Sequence, residues 1–261
     1  MTFKIIKKKS MLIIAISIIF AIIFGVVMGY LLFGNSDLKN VVVQNPIVSS
    51  YSFSSVPYTS SGQALMYLPA VMRNDTGVSA HVIVSAKKGT GRITTNINNV
   101  LVADDTQQSI RMAVLVAGIH EGIDIDTIDV NYDIYADAST LEGPSAGAAF
   151  TITTIAALRD EKLKNDVMIT GTINHDGTIG PAGKIFEKAS AAKAAGSSVL
   201  LVPLGASSEI NYTQSEFCYM WGTYNYCQFE FVPETIDISD DTGIEIIEVE
   251  TVDDVLGYFL D

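Results

Sequence analysis

The longest apolar pattern in the chain lies near its start, where Met11 to Phe33, MLIIAISIIFAIIFGVVMGYLLF, runs 23 residues without a charge. At about 1.5 Å of helical rise per residue, that length crosses the roughly 30 Å hydrocarbon layer of a bilayer, so one transmembrane helix is expected. A cleaved signal peptide is the alternative, but a secretory apolar core usually spans about 7–15 residues and no small-x-small cleavage site follows. Residues 34–62 turn polar and serine-rich without a sustained period, as a tether would.

Folded-domain patterning begins near Gln63, and residues 63–261 are expected to form one domain. VSAHVIVSA (78–86) and GRITTNINNVLV (91–102) are β-rich and joined by KKGT, which predicts a hairpin. DDTQQSIRMAVLVAGIHEGI carries apolar residues at helical spacing from Ile110 to Ile119 behind an Asp/Thr cap region, and TIDVNYDIYA follows as a strand. LEGPSAGAAF leads into a helix ending near Leu158, and DVMITGTI is a strand entering the turn NHDG. GKIFEKASAAKAAG is a second small-residue helix, with Gly196 as its stop. SVLLVP is a short buried strand, and IEIIEVE and TVDDVLGYFLD close the chain as strand and helix. Strands alternating with helices and some hairpins give an α/β (α+β) class.

Charge changes this picture in one respect. Lys4, Lys7, Lys8 and Lys9 in residues 1–10 precede the apolar run, and no basic residue follows it until Lys39. The positive-inside rule therefore keeps the N-terminus cytoplasmic and puts the domain outside the cytoplasm, on a single-pass anchor in the cell membrane. Beyond the anchor, 12 basic residues face 29 acidic ones, which disfavours nucleic acid as a partner, because phosphate contacts need clustered Lys or Arg. Cys218 and Cys227 flank Gly222 in FCYMWGTYNYCQF, within an insertion at about 205–240. Outside the cytoplasm they read as a disulfide closing a hairpin, two reduced core cysteines being the alternative. No metal site is expected, since His81, His120 and His175 show no ligand spacing.

The candidate chemistry sits in Leu141–Phe150. Ser145 stands close after one glycine and before another, at the start of a helix, where the chain can turn sharply and aim backbone N–H groups at a neighbour. Such a serine needs a base. No histidine has a convincing position, and the other choice is a lysine kept neutral by burial. Lys188 lies in the alanine-rich helix, sharing a face with Lys184, while Lys193 lies elsewhere.

GPSAGAA, TG at 170–171, DGTIGPAGKIFEKASAAKAAG and VLLVP together resemble the proteolytic domain of Lon proteases, a Ser-Lys dyad family. The likeness extends more weakly over about residues 65–261, and it implies a fold resembling the ribosomal protein S5 domain 2-like fold. By this resemblance Ser145 is the nucleophile and Lys188, 43 residues later, the general base. Backbone groups around the serine, from Gly143 to Ala146, meet the oxyanion, and Thr170 orients the lysine. Glu142 stands where the family usually has Asp, and its carboxylate either positions Lys188 or stabilises the ammonium and switches the base off. Thr172 replaces a common Glu, Ala182–Gly183 replaces the usual glycine pair, and Asn131 and Asp133 occupy a strand that often carries His.

Lon proteases usually carry a fused ATPase, yet no G-x-x-x-x-G-K-[ST] phosphate loop occurs in this sequence. The expectation is an ATP-independent serine endopeptidase, without cofactors, acting on unfolded or membrane-proximal polypeptides and forming, by resemblance, hexameric rings. Two rivals are a small-molecule kinase whose glycine-rich loop cradles ATP phosphate, and a Lon-like binding or chaperone-type module that has lost turnover.

Overall fold

The structure, a computed structural model, describes residues 55–260 apart from 73, 97–99 and 138–139, together with Met28. The basic N-terminus, the rest of the predicted anchor at 11–33 and the tether as far as residue 54 lie outside the described residues. Among the described residues no helix is long and apolar enough to cross a membrane. The last part of the predicted tether belongs to the fold instead. Val56–Pro57 pairs in parallel with Ile123–Asp124. Tyr58 is buried, its N–H donating to Thr127 Oγ1 at 3.0 Å and its hydroxyl to the Leu158 carbonyl at 3.3 Å. Val-Pro-Tyr gives the serine-rich stretch an apolar group to bury, and packing starts there.

The main elements are β1 (Ser61–Val71), β2 (Gly77–Lys88), β3 (Ile93–Asn96), α1 (Asp104–Glu121), β4 (Ile128–Ala136), α2 (Gly147–Arg159) and β5 (Val167–Ile169). They continue with α3 (Ile185–Ala194), β6 (Val199–Pro203), β7 (Ser208–Trp221), β8 (Tyr224–Asp237), α4 (Ile238–Thr242), β9 (Glu245–Val249) and α5 (Val252–Phe259). The result is a mixed α/β architecture. One sheet has the order β1-β2-β4-β3, antiparallel except for the parallel β3–β4 pair. Its period-two pattern buries Ala64, Met66 and Leu68 of β1, Val82 and Val84 of β2, and Val130, Tyr132 and Ile134 of β4. A second sheet, β9-β6-β5, is wholly parallel. Its crossover helix α3 packs Ile185, Ala189 and Ala192 against Met168, Leu200 and Val202.

The hairpin predicted between 78–86 and 91–102 does not form: β2 and β3 are separated by β4, which pairs with both. Asp129, at the start of β4, causes this. Its Oδ1 accepts the N–H groups of Thr90 (2.8 Å) and Arg92 (3.1 Å), while Gly89 and Gly91 donate to the carbonyls of Thr127 and Ile128. The Lys87–Arg92 connection is thereby pinned to β4 rather than folded into a turn. β1 was not expected at all; its register with β2, Leu65 opposite Ile83, is visible only once the partner strand is known. The expected strand DVMITGTI is split, because the N–H of Gly171 leaves the sheet to donate to the carbonyl of Ser145 at 2.8 Å.

α2 is the centre of the domain, with Gly147 through Leu158 all buried. Three of those residues are threonines, whose hydroxyls would be costly to bury unpaired. Each donates back to the carbonyl four residues earlier: Thr151 to Gly147 (2.8 Å), Thr153 to Ala149 (2.6 Å) and Thr154 to Phe150 (2.6 Å). With its three threonines satisfied internally, this otherwise apolar helix can be buried all round, and Ser145 stands immediately before its first turn.

Candidate active site

The serine loop is held from below by the start of α1. The Asp/Thr pair predicted to cap this helix does other work: the N-cap residue is Ala103, which makes no side-chain bond. Asp105 Oδ2 accepts the N–H of Gly143 at 3.0 Å, and the Thr106 hydroxyl donates to the Gly143 carbonyl at 3.1 Å. Ser109 Oγ donates to the Pro144 carbonyl at 3.3 Å. Gly143 has φ +95° and ψ 147°, a conformation that disfavours residues with a Cβ, and it swings the chain into the short 3-10 turn Pro144–Ala146. Gly147 is required for a different reason, since a Cβ there would sit 2.9 Å from Ile173 Cγ2 and 3.0 Å from its backbone nitrogen.

Lys188 arrives from the opposite side on α3. Lys184, expected to share its helix face, is instead the non-helical residue before α3, at φ +58°, and its ammonium pairs with Asp75. Lys188 is only 5% exposed, and its Nζ lies 2.7 Å from Ser145 Oγ and 3.0 Å from Thr170 Oγ1. Thr170 Oγ1 also donates to the Ser145 carbonyl at 3.3 Å, and Gly171 donates to the same oxygen. The three side chains therefore come from α2's leading turn, the break after β5 and the middle of α3, and the backbone of Thr170–Gly171 ties the first two together.

Burial pushes the Lys188 amine down to about 8, against the opposing pull of the Glu187 and Glu209 carboxylates. Neither carboxylate was singled out from the sequence. Glu187 precedes the lysine, and its Oε2 is buried without a hydrogen-bond partner among the described residues. Glu209, at the root of β7, accepts the N–H of Ile185 on Oε1 at 2.7 Å and so caps the helix that carries Lys188. Glu142 is exposed on the rim of the cleft. Of the backbone groups expected to meet an oxyanion, the Gly143 N–H is occupied by Asp105 Oδ2. The N–H groups of Ser145 and Ala146 lie in the 3-10 turn that leads into α2. The cleft above the serine holds about 390 Å³ and runs between Leu68–Met72 at the end of β1, the serine loop, and Pro181–Lys184.

The other candidate residues lie away from this cluster. His81 stacks on Tyr135 at 4.7 Å, and His120 bridges Glu121 and Asp253 at 2.8 and 2.9 Å. Cys218 and Cys227 are bridged as cross-strand neighbours of the β7–β8 hairpin. Glu216 lies with their sulfurs in one small group, but sulfurs bonded to each other offer no thiolate to a metal.

The Lon protease (S16) C-terminal proteolytic domain family matches residues 74–216, which include every member of the Ser145, Thr170 and Lys188 cluster. The chain belongs to this family. It is 34% identical over 112 residues to a Lon protease of Desulfatibacillum aliphaticivorans, covering 40% of this chain and 13% of that protein. It is 29% identical over 139 residues to the archaeal Lon protease of Methanocaldococcus jannaschii, covering 53% of this chain and 17% of that protein. With a Lon protease of Phenylobacterium zucineum the identity is 39% over 75 residues, 29% of this chain and 10% of that protein. The matched part is thus a small share of these relatives. Membership places the chain among serine peptidase domains.

Proposed function

We propose that the chain is a serine endopeptidase in which Lys188 is the general base for Ser145. The observation that carries this reading is the 2.7 Å approach of Nζ to Oγ around a buried amine. The hydrogen-bond directions support it. Thr170 gives its proton to the Ser145 carbonyl, so its oxygen is free to accept an N–H from Lys188. The neutral amine then keeps its lone pair toward the serine hydroxyl.

In the first step Nζ takes the hydroxyl proton as Oγ bonds to the scissile carbonyl carbon, giving a tetrahedral oxyanion. The N–H groups of Ser145 and Ala146 are the donors for that charge, each worth about 2.7–4 kcal/mol of barrier in comparable sites. Collapse breaks the C–N bond, and the Lys188 ammonium returns its proton to the departing amine. Water then attacks the acyl-serine, giving its proton to the lysine, and the ester opens as that proton passes back to Oγ. None of these steps needs a nucleotide or a metal, and the proposed activity is ATP-independent.

The substrate class is a polypeptide, presented to Ser145 in the cleft between Leu68–Met72 and Pro181–Lys184. With Met11–Phe33 read as an anchor, that polypeptide is unfolded or membrane-proximal and outside the cytoplasm. The test is cleavage of unfolded casein by the full chain, with Ser145→Ala and Lys188→Ala beside it. Loss of cleavage in both variants is expected. Cleavage surviving both eliminates the dyad, and absence of cleavage by the unaltered chain leaves a binding module.

A further inference from the structure

We infer that the distal half of the β7–β8 hairpin inserts tip-first into a lipid interface of net-neutral headgroups. β7 and β8 pair in unbroken register from Ser208 opposite Asp237 to Trp221 opposite Tyr224, closing through Gly222 at φ +66°. Fourteen residues per strand, at about 3.4 Å each, make a ribbon roughly 45 Å long. A two-stranded ribbon is marginal in water by itself, and this one is stapled three residue pairs inside its closing pair by Cys218–Cys227. The family match ends at residue 216, part-way along β7, so the distal half of the hairpin lies outside the matched residues.

Alternation along paired strands sorts the tip into two faces. Trp221, Tyr224, Tyr219, Tyr226 and Phe217 share one, with Tyr219 and Tyr226 stacked at 5.9 Å. Met220, Phe229 and Phe231 share the other. Both are open to solvent: Trp221 is 78% exposed and Met220 is 74% exposed, at the same end of the ribbon. So much exposed apolar surface marks an interaction site. A protein partner laid on a ribbon covers one face and leaves the other wet, whereas immersion of the tip covers both at once.

Charge selects the medium. From Phe217 to Phe229 no side chain is charged, while Glu216 and Glu230 flank that stretch and Glu209, Glu234 and Asp237 line the base. No lysine, arginine or histidine occurs after Lys193. Anionic headgroups therefore find nothing to pair with and an acidic collar that repels them, whereas Trp and Tyr are the side chains that settle at the boundary between headgroups and acyl chains. That a bilayer is at hand rests on the proposed anchor at Met11–Phe33.

Trp221 is the only tryptophan, so its emission reports the tip alone. The full chain is reconstituted into phosphatidylcholine vesicles with and without lipid brominated near the top of its acyl chains, and flotation of the vesicles is scored separately. The expected result is blue-shifted emission quenched about two-fold or more by the brominated lipid. A variant carrying F217S, Y219S and Y224S should lose that quenching while still cleaving casein. Exchanging half the lipid for phosphatidylglycerol should weaken the quenching.

Flotation with unquenched, acrylamide-accessible Trp221 overturns the inference and leaves the anchor standing. Quenching of the unaltered chain, with loss of flotation in the F217S, Y219S and Y224S variant, removes the anchor and keeps the inference. A blue shift that grows with protein concentration and ignores bromine overturns it in favour of a second copy at the tip. Quenching that strengthens with phosphatidylglycerol overturns the neutral-headgroup assignment.

Discussion

The threonines of α2 and the aromatics of the β7–β8 hairpin invert the usual relation between side-chain polarity and burial. α2 hides three threonines completely, and the hairpin exposes Trp221, four tyrosines, three phenylalanines and Met220. What differs is the supply of partners. Each threonine of α2 finds a carbonyl one turn back, and the helix is enclosed by α1 and by β1 and β2. Among the described residues the hairpin aromatics stay largely exposed, with Tyr219 stacked on Tyr226. The lesson is that hydrophobicity says how much a side chain would gain from burial, while topology decides whether anything is there to bury it.

Ser145 and Lys188 draw their support from the enclosed region alone, and the largest effects are expected there. Ser145→Ala should reduce casein cleavage by about 10³-fold or more, with little change in unfolding midpoint, as read by fluorescein release and by thermal melting. Residual turnover within tenfold of the unaltered chain would sink the dyad. Truncation separates the two regions next. Phe150→Ala removes a fully buried ring and should cost about 3–5 kcal/mol in urea unfolding, whereas Tyr224→Ser at the hairpin tip should stay within about 0.5 kcal/mol. Equal losses would mean that the tip is packed in solution.

Lys188 sharpens the contrast through pH. Its folded value near 8 lies below its ordinary 10.5, so between those limits the unfolded chain holds the proton and the folded one releases it. Stability therefore rises with pH through that window, and the cost of the buried ammonium is fully present below about 8. Lys188→Met should stabilise the domain by roughly 3 kcal/mol at neutral pH, an advantage that fades toward pH 10.5. A gain independent of pH would show that packing, not charge, was relieved. By the same logic kcat/KM should rise with pH through an apparent value near 8.

The smallest effect belongs to Glu209, where the two regions meet. Glu209→Gln keeps an oxygen for the Ile185 N–H and removes a charge that favours the Lys188 ammonium. The midpoint of the pH-rate profile should fall by a fraction of a unit while the helix content seen by circular dichroism is unchanged. An upward movement would contradict the electrostatic assignment. Intact mass without reductant should also lie 2 Da below the mass after reduction, for one bridge between Cys218 and Cys227.

Much of the candidate site is legible in the sequence. Ser145 stands out because the glycines around it and the small-residue run after it have few other uses, and Lys188 because an alanine-rich face gives a lysine somewhere to be buried. Glu209 was not legible, since it lies 21 residues beyond Lys188 in a segment read only as part of an insertion. The strand order was also hidden. KKGT looks like a turn, and nothing local reveals that Asp129 will claim the N–H of Thr90 from 39 residues away.

By itself the sequence determined the alternation of strands and helices, the serine loop and the residue types the chemistry needs, because these follow from periodicity and local backbone preference. Tertiary structure alone decided that β4 separates β2 from β3, that Glu209 caps the lysine helix and that the hairpin aromatics stay uncovered. Each of those depends on which distant segment arrives at a given place, and short-range physics carries no record of that.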